Sequence, residues 1–186
     1  INLLLKKNKM EIKLHARNID SKLRVALYAM TSFAMAELIP SKRLRNNISI
    51  NVHLKHHEED GEAMLEEYAN RYRPRDFKVI IDHHRAEIDD YGRTRTDTEW
   101  GHTILRILAH ELVHVKQYLV GDMTCRTKGM LWKGVMFAPE YLTEQLKTPY
   151  EVEAYGKERG LLVSFFIKWK EIEEKMGMKY SLNKEK

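Results

Sequence analysis

The chain has 186 residues, 43% of them hydrophobic, and 32 Lys and Arg against 27 Asp and Glu give a net charge of +5. That length and apolar content suit one folded domain spanning residues 1–186 and exclude a disordered or collagen-like chain. One cysteine excludes a disulfide framework and a thiolate-rich zinc site, and no apolar run approaches the roughly 20 residues of a membrane span. The expectation is a cytoplasmic chain whose mild basicity permits nucleic acid as a partner without indicating it.

Ile1 to Leu5 is too short for a signal-peptide core and has its lysines on the wrong side, so residues 1–10 are set aside as a leader or extension. Asp20 and Ser21 offer N-caps for a helix reaching Leu38, with Leu23, Leu27, Met30, Ala34 and Leu38 at steps of three and four; Pro40 stops it. Ile48, Ile50, Val52 and Leu54 alternate with polar residues and predict a half-buried strand. Glu62 to Tyr68 fits strand or helix equally. Phe77 to Asp82 reads as a second strand, and Asp89 to Trp100 as a charged loop. Thr103 to Val120 is a strong helix with Ile104, Leu108, Leu112, Val115 and Leu119 as its core stripe, closed by Gly121. Asp122 to Thr148, broken by Gly129, Gly134 and Pro139, reads as loop with short turns. Pro149 opens a second long helix reaching about residue 176, with Gly160 as the place for a bend.

Inside the strong helix stands His110-Glu111-Leu112-Val113-His114. At about 100° per residue, positions four apart differ by about 40° and share a face, so both imidazoles can reach one zinc ion. Glu111 lies about 100° round from His110, beside the metal, where it can act as general base on a zinc-activated water. Chance supplies roughly 0.04 such motifs in a chain of this composition. Two histidines and a glutamate packed without partners in so apolar a helix would also be costly.

An open zinc site needs a third protein ligand. No histidine follows His114, and the position six past it is Val120. Cys125 and downstream carboxylates remain, the strongest being Glu151 and Glu153 in the first turn of the Pro149 helix. These two differ by about 200°, so one of them can face the metal.

His110-Glu111-Leu112-Val113-His114 followed by Glu151-Val152-Glu153-Ala154 resembles the gluzincin branch of zincin metallopeptidases, and among them small phage-type SprT-like proteins and minigluzincins. Thr103 to Tyr118, Trp132-Lys133-Gly134 and Pro149 to Gly156 carry the likeness; the first 70 residues add compatible topology. Related gluzincins read Glu-x-x-Ala-Asp. The resemblance therefore implies Glu151 as ligand and Ala154 as the small residue. Tyr155 stands where an aspartate would orient a ligand histidine, a departure from the pattern. It implies an α+β zincin-like fold, with a small sheet on the active-site helix and a glutamate-bearing helix after it. The implied activity is peptide hydrolysis with zinc held by His110, His114 and Glu151, Glu111 as base, and a peptide or protein as substrate. Phage members would act in the host cytoplasm or the virion. The rival is a non-catalytic zinc-stabilised binding domain.

Other residues read more plainly. His53, His56 and His57 suit a solvated strand end better than a second metal site, and His83-His84 a loop following a strand. Trp132 reads as packed, Cys125 as a small buried hydrophobe, and Tyr141, Tyr150 and Tyr155 as equal candidates to stabilise an oxyanion.

Overall fold

The computed structural model describes residues 10–17, 19–89, 91–138 and 148–175. The expectations for residues 1–9, Pro139, Tyr141 and the helix end near residue 176 fall outside them. The architecture is mixed α+β with two small sheets. Four strands, β1 (Glu11–His15), β2 (Ser49–Leu54), β3 (Gly61–Leu65) and β4 (Asp76–Ile81), form the larger sheet in the order β1-β2-β4-β3. β1, β2 and β4 run parallel, and β3 lies antiparallel to β4. One edge of β3 is therefore unpaired among the described residues.

The first crossover is α1 (Ser21–Leu38). Asp20 Oδ1 accepts from the Leu23 amide at its start, and Leu23, Leu27, Met30 and Ala34 bury the predicted stripe. A single turn, α2 (Lys42–Arg45), follows. In β2 and β4 the core-facing Ile50, Val52, Phe77, Val79 and Ile81 are fully buried. Asp82, just past β4, is also buried, and its carboxylate accepts from the amides of His57, His84 and Arg85. It thereby ties together the two loops at the carboxyl end of the parallel strands.

α3 (Asp97–Val120) is the spine. It begins six residues before the expected Thr103, because Thr96 and Glu99 form a reciprocal capping box inside what reads as a charged loop. Gly121 closes it at φ 82°, the left-handed conformation glycine adopts without a Cβ penalty. The stretch after it is not loop. β5 (Met123–Arg126), β6 (Gly129–Trp132) and β7 (Val135–Phe137) form an antiparallel meander. Gly129 opens β6 and Gly134 lies in the next turn, at φ 130° and 86°, so neither breaks the chain. Cys125 is exposed, contrary to expectation, because it stands near the tip of this hairpin beyond the core that takes Met123. Trp132 packs as expected.

α4 (Pro149–Lys175) runs unbroken through Gly160 and lays Tyr150, Ala154, Leu161, Phe165 and Trp169 into the core against α3. No helix of the described residues is long and apolar enough to cross a membrane.

Candidate metal centre

His110 and His114 sit on one face of α3, both under 9% exposed, and their Nε2 atoms are 3.1 Å apart. Docking of α4 brings Glu151 to them. One carboxylate oxygen is 3.1 Å from His110 Nε2 and the other is 3.3 Å from His114 Nε2. Among the described residues, His110, His114 and Glu151 are the only group of three or more His, Cys, Asp or Glu donors converging closely enough to hold a metal ion. The first turn of α4 also separates the two glutamates. Glu153 faces away from the histidines, meeting Lys116 at 3.3 Å, Lys157 at 3.1 Å and the Gln117 amide at 3.1 Å.

The outer nitrogens decide the tautomers. His114 Nδ1 lies 2.8 Å from Gln117 Oε1, while the Gln117 amide nitrogen donates to the Tyr150 carbonyl and to Glu153. That oxygen can only accept, so the proton is on Nδ1. His110 Nδ1 meets Glu158 at 2.9 Å, and the same argument applies. Both Nε2 lone pairs therefore point inward at a carboxylate. Three electron-rich donors facing one another in a buried space fit a divalent cation. Without one, protons take its place. Burial opposes the imidazolium, yet Glu151 and Glu158 outweigh it and raise His110 to about 9. Burial likewise opposes the Glu151 carboxylate, but the two histidines bring it down to about 2.

Glu158 occupies the role that Tyr155 cannot fill. Its carboxylate joins His110 Nδ1 to Arg106, 3.0 Å away, one turn before His110 on α3. Tyr155 instead sets its ring edge against His110, with centroids 4.5 Å apart. Motif reading missed Glu158 and Gln117. The signal was there for Glu158: it is a lone acid within the apolar stripe Tyr150, Ala154, Leu161 and Phe165. Gln117 follows His114 by three residues on the same face.

Glu111 is 5% exposed and stands beside the triad rather than in it. Burial pushes its carboxyl up to about 7, against the pull of both histidines. Gly61 of β3 packs so closely on it that a Cβ there would lie 2.7 Å from Glu111 Oε1. The triad and Glu111 line a cleft of about 450 Å³. One wall is Glu59 to Ala63, at the start of β3; the other includes Tyr118, Met123, Met130 and Tyr150. Tyr150 and Tyr155 both reach the cleft.

The remaining histidines form no second centre among the described residues. His56 contacts Asp82 at 3.0 Å, His57 contacts Glu62 at 3.0 Å, and His53 stacks on His15. His83 and His84 follow β4 in a turn, where the His83 carbonyl accepts from Trp100 Nε1. No family model, no curated protein and no solved structure matches the chain.

Proposed function

We propose that the chain is a zinc-dependent peptidase of the gluzincin type, with a zincin-like arrangement of sheet, α3 and α4. The observation that carries this reading is the convergence of His110, His114 and Glu151 with the buried carboxyl of Glu111 alongside, in an open cleft. His110 and His114 through Nε2, and Glu151 through its carboxylate, would hold the ion. Bound there, zinc supplies Lewis-acid polarisation of a carbonyl and brings the pKa of water towards 7.

The chain's own groups do the rest. Glu111 takes a proton from water as the water oxygen bonds to the carbonyl carbon, and gives it to the amine nitrogen as the C–N bond breaks. Burial disfavours the charge on Glu111 and so makes its carboxylate a readier proton acceptor. Glu158 and Gln117 hold the imidazoles in the ligating tautomer. The free edge of β3 offers backbone donors and acceptors, so an extended peptide can add as a further strand across Glu111. Tyr118, Tyr150 and Tyr155 bring hydroxyls to the cleft for the developing oxyanion, and the rings of Tyr150 and Tyr155 lie beside the triad histidines.

The test is metal analysis of the purified protein together with a peptide-library digest, with Glu111→Gln as the discriminating variant. Glutamine is nearly isosteric, so zinc uptake is expected unchanged while cleavage falls about 10²- to 10⁴-fold. A wild type that takes up zinc and cleaves nothing across the library would return the chain to the rival reading, a zinc-stabilised binding domain. A variant as fast as wild type would remove Glu111 from the mechanism.

A further inference from the structure

Charge changes sign from the cleft end of β3 to the turn beyond its other end. At the Gly61 end of β3, where Glu111 is, stand Glu59, Asp60 and Glu62. Asp60 has Arg85 at 3.7 Å and Glu62 has His57 at 3.0 Å, while Glu59 meets no cation among the described residues. β3 then runs from Gly61 to Leu65, about 13 Å, away from the triad. Beyond it the chain turns sharply: the Ala69 amide donates to the Glu66 carbonyl, and Asn70 Oδ1 accepts from the amides of Tyr72 and Arg73.

That turn presents Arg71 and Arg73 on either side of Tyr72, all exposed. The opposite wall closes on the same place. From the cleft-lining Met123, β5 runs out to Arg126, whose guanidinium lies 5.5 Å from the centre of the Tyr72 ring. Neither Arg71 nor Arg73 has a carboxylate partner among the described residues. Glu66, Glu67 and Asp76 are the nearest acids in the chain; among the described residues no ion pair joins any of them to these arginines, and Glu66 is held by Asn51 Nδ2. The two ends of β3 are separated by more than a Debye length of about 8 Å at physiological salt, so a bound chain meets them as two separate fields.

We propose that this cleft selects peptides by the order of their charges, taking basic side chains over Glu59, Asp60 and Glu62 and acidic ones towards Arg71, Arg73 and Arg126. The proposal rests on the peptidase reading for the identity of the ligand. A peptide adding to the free edge of β3 pairs in the antiparallel sense, which gives the better-aligned hydrogen bonds. It therefore runs from the Leu65 end to the Gly61 end. Acidic residues belong three to five positions before the scissile bond, and basic residues just after it.

Two nonapeptides of one composition test this: one alanine, two glutamates, three alanines and leucines, two lysines and a last alanine, and the isomer with glutamates and lysines exchanged. Cleavage is measured with the zinc-loaded full chain, and binding by fluorescence anisotropy with zinc-loaded Glu111→Gln. The glutamate-first isomer is expected to be favoured about tenfold in both, with the preference shrinking as salt rises. In Glu59→Lys/Asp60→Lys the preference should collapse, with zinc uptake showing that the variant is folded. Equal handling of the isomers, or preference for the exchanged one, overturns the inference and leaves hydrolysis standing. Charge-ordered binding with no cleavage supports the inference and sinks the peptidase reading. Neither binding nor cleavage overturns both.

Discussion

Replacing Gly61 by alanine puts one methyl group between the sheet and α3. Its Cβ would lie 2.6 Å from Ile107 Cγ2, 2.7 Å from Glu111 Oε1 and 3.0 Å from Glu111 Cγ. Carbon contacts relax at about 3.5–4.0 Å, so one or more of these atoms must move by about 1 Å. Ile107 is buried and β-branched within α3, which leaves it essentially one side-chain rotamer. The strain therefore falls on β3 and on the Glu111 carboxylate. Overpacking of this size costs about 1–3 kcal/mol, read as a lower urea midpoint at unchanged slope. A base displaced by about 1 Å loses on the order of 10² in rate. Zinc uptake should stay near wild type, because the atoms the new Cβ would press on most belong to Ile107 and Glu111, not to the three donors. Gly61→Ala with wild-type stability and wild-type cleavage would refute the reasoning, since β3 would then be free to stand off from Glu111.

Glu158→Ala should weaken zinc binding about 10- to 100-fold in a chelator competition, and Glu158→Gln by less, because the glutamine oxygen still accepts from His110 Nδ1. Glu151→Ala should weaken zinc binding far more than Glu153→Ala; comparable losses would contradict the observed placing of the two carboxylates. Asp82 tests the rim of the sheet. Burial disfavours its charge, but the amides of His57, Arg85 and His84, with His56 beside them, hold its pKa below the ordinary carboxylate range. A depressed carboxyl stabilises the fold above its unfolded pKa near 4, and that contribution is lost as pH falls through the folded value. Asp82→Asn should therefore lower stability at pH 7 by about 1–3 kcal/mol and flatten its decline below pH 4, measured by urea unfolding across pH. An unchanged acid limb would count against it.

What could be read from the residues were the parts whose pattern and burial agree. The stripes of α1 and α3, the alternation of β2, the apolar run of β4, the proline that opens α4, and the helical pairing of His110 with His114 all follow from local sequence. β1 escaped because a five-residue strand, EIKLH, carries too short an alternation to stand out, and it pairs in parallel with a strand far along the chain. The first turns of α3 were hidden because Asp97, Thr98 and Glu99 bury nothing, although Thr96 and Glu99 have the capping-box spacing. The β5–β7 meander was hidden for a different reason. Its second turn, with Lys133 at φ 45° and Gly134 at φ 86°, uses a lysine where asparagine or aspartate would have announced a hairpin. At the centre, periodicity leaves Glu151 and Glu153 as alternatives, and only the packing of α4 on α3 separates them.

The donors of the candidate centre come from two helices that touch only because one is seated on the other, so an ion held there would be a clasp on the tertiary structure. Only a chain with α4 docked presents all three groups. A cation at 100 times its dissociation constant would then oppose the lifting of α4 by about 2.7 kcal/mol. Amide protons in the first turns of α4, which report opening of the α3–α4 seam, would exchange about a hundredfold more slowly with zinc than without. Those of β1 and β2, remote from the seam, would keep their pace except where they exchange through whole-chain unfolding. Metal supply would then control how long the two helices stay joined, and so how long Tyr155 and Glu158 remain in place around His110.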